Sequence, residues 1–299
     1  MLIVTYNIQW GMGQDGIVDL ARIARTVGEA DIICLQEVER DWRKGPDAEE
    51  IQRLCELLPR HYCAFAPAVD LDNSRVDADG RVHNGRRQYG NLTLSRWPII
   101  SIRTFPLTKY PVYGHVNDAS VLLETVVQHR STPFRVYNTH LNYLSGRQRL
   151  IQAKEVLSII QQAPVQGGVV AGPGAADDQF GADWMVLHRH EIPGMPRPAL
   201  LMGDFNMRTN SAEYDVLTGP ADPFYGRLHE DDLFADALTL AGLPEEEGVT
   251  HPEADSTGRR RIDHIFMTSE FIPHFKRAWI DNMADGSDHW PVWLELDYP

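Results

Sequence analysis

Apolar, strand-length runs in this chain repeatedly meet a short polar word at one end, and that polarity limits how the chain can fold. Asn7 closes the run Leu2 to Tyr6, and Glu37 follows Ile32-Ile33-Cys34-Leu35-Gln36. His140 follows the run that starts at Phe134, and Asp204 follows Leu200-Leu201-Met202-Gly203. The last two words reverse the order: Asp263 opens the run Ile262 to Met267, and Asp288-His289 precedes Pro291 to Leu296. If the final two strands run antiparallel to the earlier ones, all six words gather on one rim.

The runs between the words alternate in type. Leu2 to Tyr6 and Ile32 to Leu35 read as buried strands, with a helix between them on Leu20, Ile23, Ala24 and Val27 that stops at Gly28. Asp47 with Glu50 resembles a capping box, and Ile51, Leu54, Cys55 and Leu58 form the apolar face behind it, ended by Pro59. Strands follow at Leu92 to Leu94, Ile99-Ile100, Val121 to Val127 and Phe134 to Asn138. A third helix carries Leu150, Ala153, Leu157 and Ile160. Short helices are expected around Tyr214 and from Leu233 to Leu240. Val69 to Gly85 and Gln162 to Pro198 read as inserted loops, the second with a histidine island at His188 and His190. No repeat or linker divides the chain, so residues 1–299 are expected to form a single catalytic domain.

The residue types point to metal-assisted chemistry. Glu37 with Asn7, Asp204 and Asp288 makes an oxygen-rich set, which suits magnesium or manganese. The cysteines Cys34, Cys55 and Cys63 have no paired metal spacing, and Cys34 and Cys55 read as buried free thiols. Gly203-Asp204-Phe205-Asn206 also has the composition of a plain turn. Asp263 can fix one tautomer of His289 by accepting a hydrogen bond. His264 then points to the opposite strand face and reads as structural. His188, His190, His229 and His251 lie in loop settings and read as solvated or capping residues.

Taken together, these words resemble the endonuclease/exonuclease/phosphatase superfamily, whose members include deoxyribonuclease I-like nucleases, abasic-site endonucleases, neutral sphingomyelinases and inositol-polyphosphate 5-phosphatases. The likeness runs in the family's order from Thr5-Tyr6-Asn7 to Ser287-Asp288-His289. It includes Tyr89 to Arg96, Arg149 with Gln152, and Thr250-His251-Pro252. The resemblance implies an α/β fold, a four-layer α/β/β/α sandwich of two packed mixed sheets flanked by helices, with the site at one end of the sheets. It implies Glu37 as principal ligand of Mg2+ or Mn2+, helped by Asn7 and Asp288. Asp204 and Asn206 would orient water and phosphoryl oxygens. His289, polarised by Asp263, is the candidate general base, and His140 contacts phosphate or assists the leaving group; these two roles stay interchangeable. Where many relatives carry an acidic residue after the His140 word, this chain has Asn142, and no carboxylate partner for His140 aligns.

Charge narrows the substrate. A net charge of −14 disfavours nucleic acid, whose binding depends on neutralising phosphates with Lys and Arg. Arg86-Arg87 and Arg259-Arg260-Arg261 are local basic patches, read as solvated loop charge. Met1 leads directly into Leu2-Ile3-Val4 with no basic n-region, and no apolar run is long enough to span a membrane, so a cytoplasmic protein is expected. The favoured function is hydrolysis of a phosphodiester in a small or lipid-like phosphoester. The alternatives are a magnesium-dependent nuclease, a phosphomonoesterase, and a catalytically inactive binding scaffold.

Overall fold

The computed structural model describes residues 1–43, 48–172, 192–244, 247–252 and 260–299. The first half runs β1 (Leu2–Asn7), α1 (Leu20–Val27), β2 (Ile32–Arg40), α2 (Glu50–Leu57), β3 (Tyr62–Asp72), β4 (Arg75–Val76), β5 (Val82–His83), β6 (Arg86–Ser95), β7 (Ile99–Pro106), β8 (Val121–Val127) and β9 (Phe134–His140). The second half runs α3 (Gly146–Gln166), β10 (Ala199–Asp204), α4 (Ala212–Thr218), β11 (Ala221–Asp222), β12 (Gly226–Arg227), β13 (Ala235–Asp236), α5 (Ala237–Leu240), β14 (Asp263–Met267), β15 (Phe275–Ile280) and β16 (Val292–Leu296).

Two six-stranded sheets result, in the orders β15-β16-β1-β2-β6-β3 and β13-β14-β10-β9-β8-β7. Both are mixed. β1 pairs parallel with β2 and β9 parallel with β10, whereas β16 runs antiparallel to β1 and β14 antiparallel to β10. That is the reversal the six words require.

Period-2 alternation sorts the side chains into layers. In β1, Val4 and Tyr6 join Leu20, Ile23 and Leu54 of α1 and α2 on the outside of the first sheet. Ile3 instead faces the second sheet, among Cys34, Val136, Met202 and Ile265. Outside the second sheet, Tyr137, Leu201 and Phe266 pack on Val156 and Ile160 of α3 and Tyr214 and Leu217 of α4. The architecture is therefore the four-layer α/β/β/α sandwich. Among the described residues no helix is long and apolar enough to cross a membrane.

Toward the end that carries the polar words, the apolar layer between the sheets gives way to directional contacts. Asn138 Nδ2 donates to Leu35 O at 3.2 Å and Leu92 O at 3.0 Å, both in the opposite sheet. Gln36 Nε2 returns a bond to Asn138 Oδ1 at 2.8 Å. Satisfied buried bonds of this kind fix how one sheet sits on the other more narrowly than aliphatic packing does.

Several local expectations change. Helix α2 begins at Glu50, and its N-cap, Glu49, makes no side-chain cap bond. Glu50 is buried and accepts from Glu39 N at 2.8 Å and from Arg43 at 3.0 Å, while Asp47, the other half of the expected capping box, lies outside the described residues. The segment from Gln162 is not loop at its start, because α3 continues through Pro164 to Gln166. A proline removes the bond to the carbonyl four residues back. Here that carbonyl, Ile160 O, accepts from Arg135 Nη1 at 2.7 Å instead. Val69 to Gly85 is largely a β-ribbon: β3 pairs with β6 out to Asp72 opposite Arg86, and β4 with β5 form its tip. Its charged residues read as loop, but Arg86 Nε bonds Asp70 Oδ1 across the strands at 2.7 Å. Leu233 to Leu240 divides into β13 and the single turn α5. Cys34 is buried as expected, Cys55 only partly so, and Cys63 is exposed.

Gly203 serves strand approach rather than a turn. It sits inside β10 at φ +150°, and a Cβ there would lie 1.8 Å from Thr139 O of β9. Gly203→Ala is therefore expected to destabilise the protein by roughly 3 kcal/mol, combining overpacking with backbone strain. A denaturant midpoint within experimental error of wild type would refute this account of the β9–β10 contact.

Candidate active site

The two sheets deliver the polar words to one place. In the second sheet Asp204 sits in register with His140 on its parallel neighbour and with Asp263 on its antiparallel one. The three residues thus form one row across β9, β10 and β14. Asn7 ends β1 in the first sheet and reaches across the gap. Its Nδ2 donates to Glu37 Oε1 at 3.0 Å and to Asp204 Oδ2 at 3.0 Å, joining a carboxylate of each sheet. Asn7 Oδ1 is turned the other way and accepts from Gln9 N at 3.1 Å. A half-turn of the amide exchanges the two atoms.

Glu37 is not at a strand end, as its sequence context suggested. β2 continues to Arg40 past a bulge between Leu35 and Val38. Gln36 faces the opposite sheet and Val38 joins the outer core, so Glu37 is the extra residue. Its φ of 60° lies in the left-handed region, which costs on the order of 1–3 kcal/mol and recurs at functional sites. Without the bulge, alternation would turn this carboxylate toward α1 and α2. With it, Glu37 meets Asn7.

Asp204 is buried, and its second oxygen, Oδ1, accepts from Asn206 N at 2.8 Å. Asn206, at φ 50°, points Nδ2 at His140 Nε2 from 3.0 Å. His140 Nε2 also lies 3.4 Å from Asp204 Oδ2, so Asp204 is the carboxylate beside this imidazole. Asn142 is not part of that contact. It accepts from Ser145 N at 3.0 Å, and Arg149 and Gln152 bind its backbone, which holds the turn after β9.

His289 Nδ1 bonds Asp263 Oδ2 at 2.8 Å, and its Nε2 faces Asp204 Oδ2 at 3.8 Å. Ser287 Oγ donates to Asn7 O at 2.7 Å and accepts from His289 N at 3.2 Å, tying this loop to β1. His264 points away from the row, as strand alternation requires. Its Nδ1 lies 3.0 Å from Asp236 and its Nε2 3.3 Å from Met207 O, in the outer layer.

Two residues read from sequence as bystanders are in fact engaged. His251 is not a solvated loop histidine. Trp290 N donates to Thr250 O at 2.6 Å, and this brings the His251 ring edge-on to His289 at 4.7 Å and its Nε2 to 3.8 Å from Asp288 Oδ2. Arg261 is not solvated charge, since its guanidinium is buried 2.8 Å from Asp236. Arg86 does remain exposed. His229 is exposed beside Asp231, while His188, His190 and Arg259 lie outside the described residues. Tyr89 is the other addition: burial, then Glu37, Asp118 and Asp204, hold its phenol well above the usual range.

Burial and the neighbouring charges shift the ionisation of these groups. Burial pushes Glu37 up, and the nearby imidazoles and Asn7 offset this only in part. Burial would also raise Asp204, but His140 and His289 outweigh it and hold the carboxyl below its usual range. For Asp288 burial is likewise opposed, by His251 and then His289, and the net shift is downward. Burial would lower His289, yet Asp263, Asp204 and Asp288 together push it up to about 10.

Among the described residues the ion pairs of Asp204, Asp263 and Asp288 are all with histidines, and Glu37 has none. Four carboxylates without a lysine or arginine between them suit a hard divalent cation. Glu37 and Asp288 are the carboxylates that could hold one, with Asn7 Oδ1 beside Glu37 after its half-turn.

The profile of the Endonuclease/Exonuclease/phosphatase family matches residues 4–289. No curated protein matches the chain. Among solved structures, an endonuclease/exonuclease/phosphatase family protein from Leptotrichia buccalis is 16% identical over 100% of both chains, with a TM-score of 0.63. A mannosyl-6-phosphatase from Bacteroides thetaiotaomicron is 18% identical over 100% of both chains, also at 0.63. TDP2 of D. rerio, complexed with a single strand DNA product, is 17% identical over 98% of this chain and 97% of its own, at 0.58. Likeness at these identities concerns the fold.

Proposed function

The chain belongs to the endonuclease/exonuclease/phosphatase family, and on that footing we propose that it is a divalent-metal-dependent phosphodiesterase acting on a small or lipid-like phosphoester. The observation that carries the reading is the meeting of Glu37, Asp204, Asp263 and Asp288 at one end of the sheets with only imidazoles and amides between them. A phosphoester is an anion, and such a site repels it unless a cation is held there. When bound, a divalent cation at Glu37, Asp288 and Asn7 would neutralise the non-bridging oxygens and offset the carboxylate charge that otherwise keeps His289 protonated.

The chain's own groups then divide the work. Asp263 fixes the His289 ring and leaves Nε2 facing inward, where it takes the proton of the attacking water, worth typically about 10²–10⁴-fold. Asp204 and Asn206 orient that water and the phosphoryl oxygens. His140, beside both of them, donates toward phosphate or the leaving oxygen. The net charge of −14 supports a small or lipid-like substrate over nucleic acid.

The test is a substrate panel. Purified protein with magnesium, manganese or chelator is assayed against aryl phosphodiesters, aryl phosphomonoesters, sphingomyelin, inositol phosphates and plasmid DNA. Metal-dependent turnover of a diester, faster than the matched monoester, is the expected result. Plasmid nicking as the fastest reaction, with steep salt dependence, would replace the reading by a nuclease. No metal binding and no turnover of any phosphoester would make the protein a scaffold.

A further inference from the structure

We propose that His251, Asp288 and His289 form a binding site for a borderline divalent metal such as zinc, and that its occupation switches the phosphoester site off. The donor atoms of the three residues lie within 4.8 Å of one another. His251 Nε2 and Asp288 Oδ2 are 3.8 Å apart, and the two rings meet edge to face. Tetrahedral zinc with bonds of about 2.1 Å spaces its ligands by roughly 3.4 Å, so rotations of these side chains by about an ångström bring them into range.

The donor set differs in kind from the oxygens around Glu37. Two imidazoles and one carboxylate suit a borderline cation such as zinc or its substitute cobalt, whereas magnesium and manganese favour carboxylate, carbonyl and water. The surroundings support ligation. Asp263 holds His289 by Nδ1, so Nε2 is the free nitrogen, and a carboxylate behind a ligating imidazole orients it and raises its basicity. The main-chain bond from Trp290 N to Thr250 O pre-positions the two histidines against each other.

Arg260 opposes ligation. Its Nη2 faces His251 Nδ1 at 3.5 Å. A guanidinium only donates, so this contact favours the neutral tautomer with its proton on Nε2, the nitrogen a metal needs. Binding therefore moves that proton to Nδ1 and turns Arg260 aside. A metal held here occupies His289 Nε2 and draws on Asp288. The inhibitory consequence rests on His289 being the base; the binding does not.

Cobalt reports the site without reference to turnover. Chelator-treated wild-type protein titrated with Co2+ is expected to develop the visible bands of low-coordinate cobalt, resistant to excess Mg2+ and absent in His251→Gln. Zinc competition against a chromophoric chelator should show at least about tenfold weaker binding in His251→Gln and tighter binding in Arg260→Met, with folding checked by thermal melts. Because those two variants move in opposite directions, misfolding cannot imitate the pattern. The same cobalt spectrum and zinc affinity in His251→Gln as in wild type would overturn the site. Zinc bound as expected but without effect on magnesium-dependent hydrolysis would overturn the inhibitory half and, with it, His289 as the base.

Discussion

Glu37→Ala is expected to lower magnesium-dependent hydrolysis on the order of a thousandfold, about 4 kcal/mol of transition-state stabilisation. The size follows from where Glu37 sits. A bulge at positive φ holds it against Asn7, in the gap between the sheets, and no lysine or arginine pairs with it among the described residues. The alanine variant removes a cation's principal anchor and leaves Asn7 short of one acceptor. Glu37→Gln separates charge from shape. It should lose nearly as much rate yet leave the metal-free protein at least as stable near neutral pH, because burial already disfavours the charged form of Glu37. Steady-state rates paired with thermal melts check both halves. A rate for either variant within a few-fold of wild type would remove Glu37 from the site's chemistry.

His289→Ala is expected to cost a similar factor, about a thousandfold, and pH provides the independent check. In the metal-free protein the carboxylates of Asp263, Asp204 and Asp288 raise His289 to about 10, against an ordinary value of 6.5. A group raised on folding stabilises the native state fully below its unfolded pKa. That contribution is lost as pH rises through the folded one. Metal-free wild type should therefore lose stability between about pH 6.5 and 10 in a way His289→Ala does not. Histidine NMR should show the His289 ring titrating near the top of that window, and lower once Mg2+ is added. Asp263→Asn weakens the ring's hold on its proton, so residual activity should persist to lower pH than in wild type. A His289 titration near 6.5 in metal-free protein would contradict the electrostatics described above.

Much of this arrangement is legible in the sequence, for physical reasons that also explain what is not. Asn7, His140, Asp204 and Asp263 follow or open regular apolar strands, where alternation and strand direction are readable from residue types alone. Glu37 is different. Simple alternation after Gln36 puts it on the wrong face, and only the bulge corrects this. One signal was present: Gly90 pairs with Val38 across the bulge, and a glycine inside a strand often marks one. His251 stood in a word of the family likeness, Thr250-His251-Pro252, but beside no apolar run that would aim it, and its place depends on a backbone bond between loops forty residues apart (Trp290 to Thr250). The edge strands β3 and β15 were missed because one face of each meets water, which erases the apolar run. β3 also contains Pro67, which an edge tolerates. Gln36 and Asn138 end the runs just before Glu37 and His140 but bind sheet to sheet, and only the packing of the two sheets tells them from their neighbours.

The most direct test of the account is restoration of activity by metal. Protein stripped with chelator is assayed on an aryl phosphodiester before and after magnesium or manganese is returned, beside Glu37→Ala treated identically. Stripped protein should show no turnover, with full recovery in wild type and none in the variant. Turnover that survives the chelator, or equal recovery in both proteins, would contradict a metal site at Glu37.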